Sequence, residues 1–105
     1  MNYYKEREIN NTLKIKELLT ELPQFCSEFF IGIEQNTTTL TRLNYAHDLK
    51  IFFEFLKSEI LGFKNIVITD LSVDFLNKIT ITHIEQFLSY LPLYSTNGKQ
   101  VTNNE

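Results

Sequence analysis

Over residues 39–58 the apolar side chains keep a helical rhythm that a strand cannot satisfy. Tyr45, Leu49, Phe52 and Leu56 recur at intervals of four, three and four, which gathers them on one face of an α-helix. In a strand, Tyr45 and Leu49 would face one way and Phe52 and Leu56 the other. Phe53 and Phe55 widen the stripe. Just ahead stand Thr37, Thr38 and Thr39, residues that suit a helix N-cap better than a helix interior. The pattern predicts one long helix over 39–58 with its aromatic stripe buried. Tyr45 is then expected in the core, its hydroxyl reaching a partner or the surface.

The flanking text supplies more helices. Ile9, Leu13, Ile15, Leu18, Leu19 and Leu22 form an apolar stripe that predicts a helix over 5–21. Leu22-Pro23 breaks it, because the residue before proline avoids helical angles and proline opens a new helix well. A second helix is predicted over 23–35, with Phe25, Phe29, Phe30 and Ile33 as its buried face and Gly32 as a weak point. Residues 59–79 keep no such period. Ile66-Val67-Ile68 has the composition of a strand but no partner strand, so the segment reads as an irregular connection with a helical turn near 72–77. A last helix begins at Thr80 or Thr82, and Thr82 with Glu85 has the spacing of a capping box. Ile84, Phe87, Leu88 and Leu91 give its apolar face, and Leu91-Pro92 is expected to end it. Residues 95–105 are polar and expected to be disordered. The fold expected is all-α, a small bundle of three to four helices.

Composition narrows the function classes. A chain of 105 residues suits one domain, and 43% apolar content is enough for a core. Three Gly and two Pro are too few for a turn-rich all-β chain. No apolar run has spanning length, and the polar start is unlike a signal peptide. One cysteine, Cys26, allows no internal disulfide and fits a reducing cytoplasm. His47 and His83 are too few for a metal centre, and Gly32, Gly62 and Gly98 are too scattered for a phosphate loop. No nucleophile or acid–base set emerges, so no enzyme activity and no cofactor are expected. The net charge of −3 lacks the basic excess usual in DNA-binding domains. Residues 37–58 nonetheless hold Arg42, Lys50 and Lys57 against Asp48 and Glu54, a local excess of one positive charge.

The long helix carries further text. Thr41, Tyr45, Asp48, Leu49 and Phe52 resemble the T-x-x-x-Y-x-x-D-L-x-x-F pattern of the second core helix in tyrosine recombinase (phage integrase) core-binding domains. Upstream, residues 24–35 resemble that family's first core helix, an apolar F-x-x-F run before a polar break. Downstream, Ile79, Thr80, Ile84, Phe87 and Leu88 resemble the I-T-x-x-x-I-x-x-F-L text of its third. The three stretches keep the family's order and separations and span about 24–91. The resemblance implies a SAM-like, orthogonal helical bundle over 23–94, with 1–22 as a helical extension. The family's fourth helix and its catalytic domain, with Arg, Lys, His and Tyr, have no counterpart in this text. The chain is therefore expected to lack that last helix and to be no enzyme by itself.

The resemblance also implies a role. The core-binding domain grips double-stranded DNA so that a separate domain can cut and exchange strands, and the front half of helix 39–58 meets the duplex. The parent protein would self-associate on DNA, and this chain by itself would be a monomer. Thr38 and Thr39 suit either phosphate contact or N-capping; Thr41 matches the family's Thr and suits phosphate. Arg42 can neutralise a phosphate, fork onto guanine, or stay a solvated charge. Asn44 and His47 lie off the aromatic stripe one turn apart, and Asn suits adenine edges. Lys50 continues that side. Asp48 matches the family's Asp and is expected to orient the helix. The rival reading, a small helical protein-interaction module with no DNA role, accommodates the acidic charge directly.

Overall fold

The computed structural model describes residues 3–98 and divides into two units, Met1–Phe75 and Leu76–Glu105. The first unit holds α1 (Tyr3–Leu19), α2 (Gln24–Ile33) and α3 (Thr39–Glu59), with short 3-10 turns at Glu34–Asn36, Leu61–Phe63 and Ile68–Asp70. A further 3-10 segment, Val73–Lys78, leads into the second unit and its helix α4 (Ile81–Gly98). The chain is all-helical, with no strand among the described residues. Ile66-Val67-Ile68 joins no sheet, and the helical turn expected near 72–77 is the 3-10 segment at Val73–Lys78.

α1 packs chiefly against α3, and the two run in the same direction. Asn11 Nδ2 donates to Thr39 Oγ1 at 3.3 Å near one end, and Lys50 Nζ meets a Glu21 carboxylate oxygen at 3.0 Å near the other. Between those contacts Ile15 and Leu18 of α1, Phe30 of α2, and Leu43 and Ala46 of α3 form a buried cluster, flanked by Leu19, Ile33 and Leu49. Ala46 is fully buried, and its small side chain lets the neighbouring helix approach closely. Further along, Phe53 and Leu56 are sealed, with the Phe25 ring edge-on to Phe53 at 6.4 Å between centroids. Phe55 is also buried, and Phe63 packs on Phe75 with ring centroids 5.0 Å apart. Lys57 Nζ donates to the Ile66 carbonyl, tying the segment after α3 back to the helix.

The ends of α1 and α2 follow from proline chemistry. Thr20, Glu21 and Leu22 donate to the carbonyls of Glu17, Leu18 and Leu19, a tightened 3-10-type finish that stops α1 ahead of Pro23. Pro23 holds the N-cap position of α2 with φ −58° and ψ 149°.

Several expectations about the core are corrected. Tyr45 is not a core residue but 41% exposed, and Leu49 and Phe52 are only half-buried. The face of α3 that meets α1 runs through Leu43 and Ala46, outside the stripe read in sequence, while Leu56, Phe53 and Phe55 of that widened stripe are buried as expected. A phenol hydroxyl is most easily satisfied at the rim, whereas Ala46 can lie at the point of closest helix approach. In α1, Ile9 and Leu13 are exposed. The parallel register leaves the first turns of α1, Ile9 included, beyond the start of α3, and Leu13 points away from the shared cluster. In α2, Cys26 and Phe30 are buried, while Phe29 is half-exposed.

The last helix also differs. Thr80 caps it, not Thr82: His83 N donates to Thr80 Oγ1 at 3.1 Å, and Thr80 N donates to His83 Nδ1 at 3.1 Å. This is the reciprocal logic of a capping box, with an imidazole nitrogen replacing the carboxylate. α4 also runs past Pro92 to Gly98, so residues 95–98, expected to be disordered, are helical. The remainder of that expectation, 99–105, lies outside the described residues. A helix can carry an interior proline at the loss of one backbone bond and with local bending. Ile84 and Leu88, read as a packing face, are 45% and 60% exposed. Within its own unit the described residues outside α4 are 76–80, too few to cover that face.

Burial also fixes the chemistry of the lone thiol. Cys26 is 2% exposed, and desolvation raises its pKa to about 11, so the thiol stays neutral at physiological pH. A folded-state pKa above the unfolded value means that the unfolded chain loses its proton first. The Cys26 contribution to stability is therefore whole below the ordinary thiol pKa and is lost as pH rises towards 11. Iodoacetamide at neutral pH is expected to alkylate Cys26 at the rate of global unfolding. Labelling as fast in native buffer as in denaturant would contradict the packing of α2.

Candidate nucleic-acid interface

The first turns of α3 are built by threonine. Thr38 is extended, with φ −83° and ψ 164°, and its Oγ1 accepts from Thr41 N at 3.1 Å, so it is the N-cap. The same hydroxyl donates to Thr41 Oγ1 at 3.0 Å. Thr39 Oγ1 accepts from Asn11 and sets the register between α1 and α3. The three threonines singled out in the sequence are thus brought together, each with a structural bond already in place.

Arg42 turns back from α3 towards the end of α2. Its Nη1 donates to Glu34 O at 2.8 Å, Thr37 O at 2.6 Å and Thr37 Oγ1 at 2.9 Å. Thr37 Oγ1 in turn donates to Ile33 O at 2.7 Å. The guanidinium therefore gathers the acceptors where α2 finishes, the end of a helix that favours positive charge. Lys50 pairs with Glu21, and with side chains 32% and 49% exposed this is a surface bridge of small energetic weight.

Asn44 and His47 are placed differently. Both are exposed, and among the described residues neither side chain has a hydrogen-bond partner. Leu40, Asn44, His47 and Asp48 share one outward strip over the first half of α3, flanking the side that meets α1. Of the seven residues chosen from sequence, two point to solvent with free polar groups and five hold the local architecture.

The structure adds a feature that the sequence did not disclose. Where α1 overhangs the start of α3, a recess of about 260 Å³ opens between Arg7, Asn11 and the Thr38–Thr39 turn, with Leu40 at its lip. Its sides lie about thirty residues apart in the chain, so no local pattern marks it. No group of three or more His, Cys, Asp or Glu among the described residues is placed to hold a metal ion. No helix among them is long and apolar enough to cross a membrane. Comparison of the chain with protein-family models, curated proteins and solved structures gives no match.

Proposed function

We propose that this chain is the DNA-gripping core-binding domain of a site-specific tyrosine recombinase or integrase of SAM-like type. The observation that carries the reading is the outward strip of α3. Its polar members Asn44 and His47 are exposed and unengaged, while the adjoining face of the same half-helix, at Leu43 and Ala46, is sealed against α1. That is the presentation a major-groove helix needs. The order and spacing of the three sequence stretches over 24–91 support the same reading. On it, Thr38, Thr39 and Thr41 line the phosphate side, Asn44 and His47 face base edges, and strand exchange belongs to a separate domain. Arg42 and Lys50 act mainly by holding the scaffold. A cytoplasmic setting and self-association of the parent on DNA follow from the proposal.

Binding is expected to be weak, to show little sequence preference and to fall steeply with salt, because phosphate contacts dominate such affinity. Fluorescence anisotropy on a short duplex tests this. Asn44→Ala with His47→Ala is expected to weaken binding roughly tenfold, the scale of one good base contact at about 1–3 kcal/mol. Absence of binding at low salt, where counterion release favours it most, would remove the reading.

A second reading, a protein-interaction module, is favoured by the apolar residues exposed on α4, Ile81, Ile84 and Leu88. An NMR titration separates the two: shifts over 38–50 on adding DNA support the first, and shifts confined to α4 on adding a protein support the second.

A further inference from the structure

A duplex carries one negative charge per roughly 1.7 Å of its axis, so a helix laid against it needs cations close by. The outward strip of α3 offers none that is unengaged: Arg42 serves three acceptors at the end of α2, and Lys50 pairs with Glu21. The strip itself carries Asp48. If this face meets DNA, positive charge has to come from a neighbouring element.

The overhang of α1 supplies it. The Arg7 guanidinium carbon lies 5.5 Å from the ring centroid of Tyr3 and 5.9 Å from that of Tyr4. Among the described residues, Arg7 has no carboxylate within ion-pair distance. Held over aromatic faces, a guanidinium has less rotamer freedom to lose on binding an anion, and its remaining donors suit phosphate. Arg7 lines the recess beside α3, together with Asn11 and the hydroxyl-bearing Thr38 and Thr39. Leu40 closes that recess and also begins the outward strip, one helical turn before Asn44. Recess and strip therefore form one continuous surface shared by two helices, whose register is fixed by the Asn11–Thr39 bond.

We propose that α1 is a working part of the interface and that Arg7 is its phosphate-binding residue, gripping the DNA backbone beside the groove entered by α3. The proposal rests on the DNA reading above. It assigns the helix ahead of residue 23 a contact role in place of a passive extension. Glu8 lines the same recess and opposes an anion there, so neutralising it has the opposite sign to neutralising Arg7.

The experiment is anisotropy of the full chain on a labelled duplex of arbitrary sequence, between about 50 and 200 mM salt. Arg7→Gln is expected to weaken binding roughly tenfold at the low end and to reduce the slope of log K against log salt by about 0.9, the loss of one phosphate contact. Arg7→Lys, which keeps the charge, restores the slope, and Glu8→Gln tightens binding. Arg7 is exposed, so circular dichroism of each variant is expected to match the parent. Arg7→Gln binding with unchanged affinity and slope, while Asn44→Ala still weakens the complex, would overturn the role of α1 and leave the DNA reading standing. No binding by the parent chain at low salt would end both.

Discussion

Phe53→Ala is expected to lower the stability of this chain by about 3–5 kcal/mol, the range for removing a buried aromatic ring. Phe53 is 2% exposed, takes the edge of Phe25 at 6.4 Å and touches Phe52 at 5.6 Å, so its loss opens a void bordered by two helices. A domain of this size has a total stability of about 5–15 kcal/mol, so one substitution removes about a fifth of it or more. The midpoint of thermal unfolding should fall by roughly 15 °C or more, read by far-UV circular dichroism. Tyr45→Ala is the internal control. With Tyr45 41% exposed, its loss should cost about 1 kcal/mol or less. If Tyr45→Ala proved the more damaging of the two, α3 would be rotated from the face described, back to the stripe that its sequence spacing suggests.

Arg42→Ala is expected to destabilise the fold by about 1–3 kcal/mol, although Arg42 stands among the residues that sequence marks for DNA contact. Its guanidinium serves the carbonyls of Glu34 and Thr37 and the Thr37 hydroxyl. Without it, two carbonyls lose a charged donor where α2 finishes. The range is held down because part of the site is solvent-exposed and water replaces some of the loss. The melting midpoint should fall by roughly 5–15 °C. Arg42→Lys should recover much of that fall, since all three bonds come from the single nitrogen Nη1 and an ammonium also carries three donors on one nitrogen. DNA affinity measured well below the melting midpoint should change little. A variant as stable as the parent but unable to bind DNA would reverse the assignment and make Arg42 a contact residue.

These two residues show where sequence reading succeeds and where it stops. Helix spans were legible because Pro23, the threonines at 37–39 and the spacing of apolar residues act locally, within a turn or two of where they stand. α3 was expected over 39–58 and occupies Thr39–Glu59. Its rotation was not legible. Tyr45, Leu49, Phe52 and Leu56 make the most regular stripe, yet the contact face runs through Ala46, a residue that stripe counting passes over. Which apolar face is buried depends on what lies opposite, and here that is α1, from nearly thirty residues earlier. The end of α4 failed for a related reason, since Pro92 lowers local helix propensity without forbidding a helix.

The candidate site divides in the same way. Asn44 and His47 could be placed on the outward side of α3 from helical periodicity, and they are there. That Arg42 turns back to close α2, that Thr39 locks to Asn11, and that Arg7 stands beside the start of α3 could not be read locally. By itself the sequence determined that this chain is helical, roughly where its first three helices begin and end, and which short polar side chains the long helix turns outward. The tertiary structure decided which faces are sealed and which cations remain available. Hydrogen bonds and burial join residues far apart in the chain, and no short-range pattern encodes such a meeting.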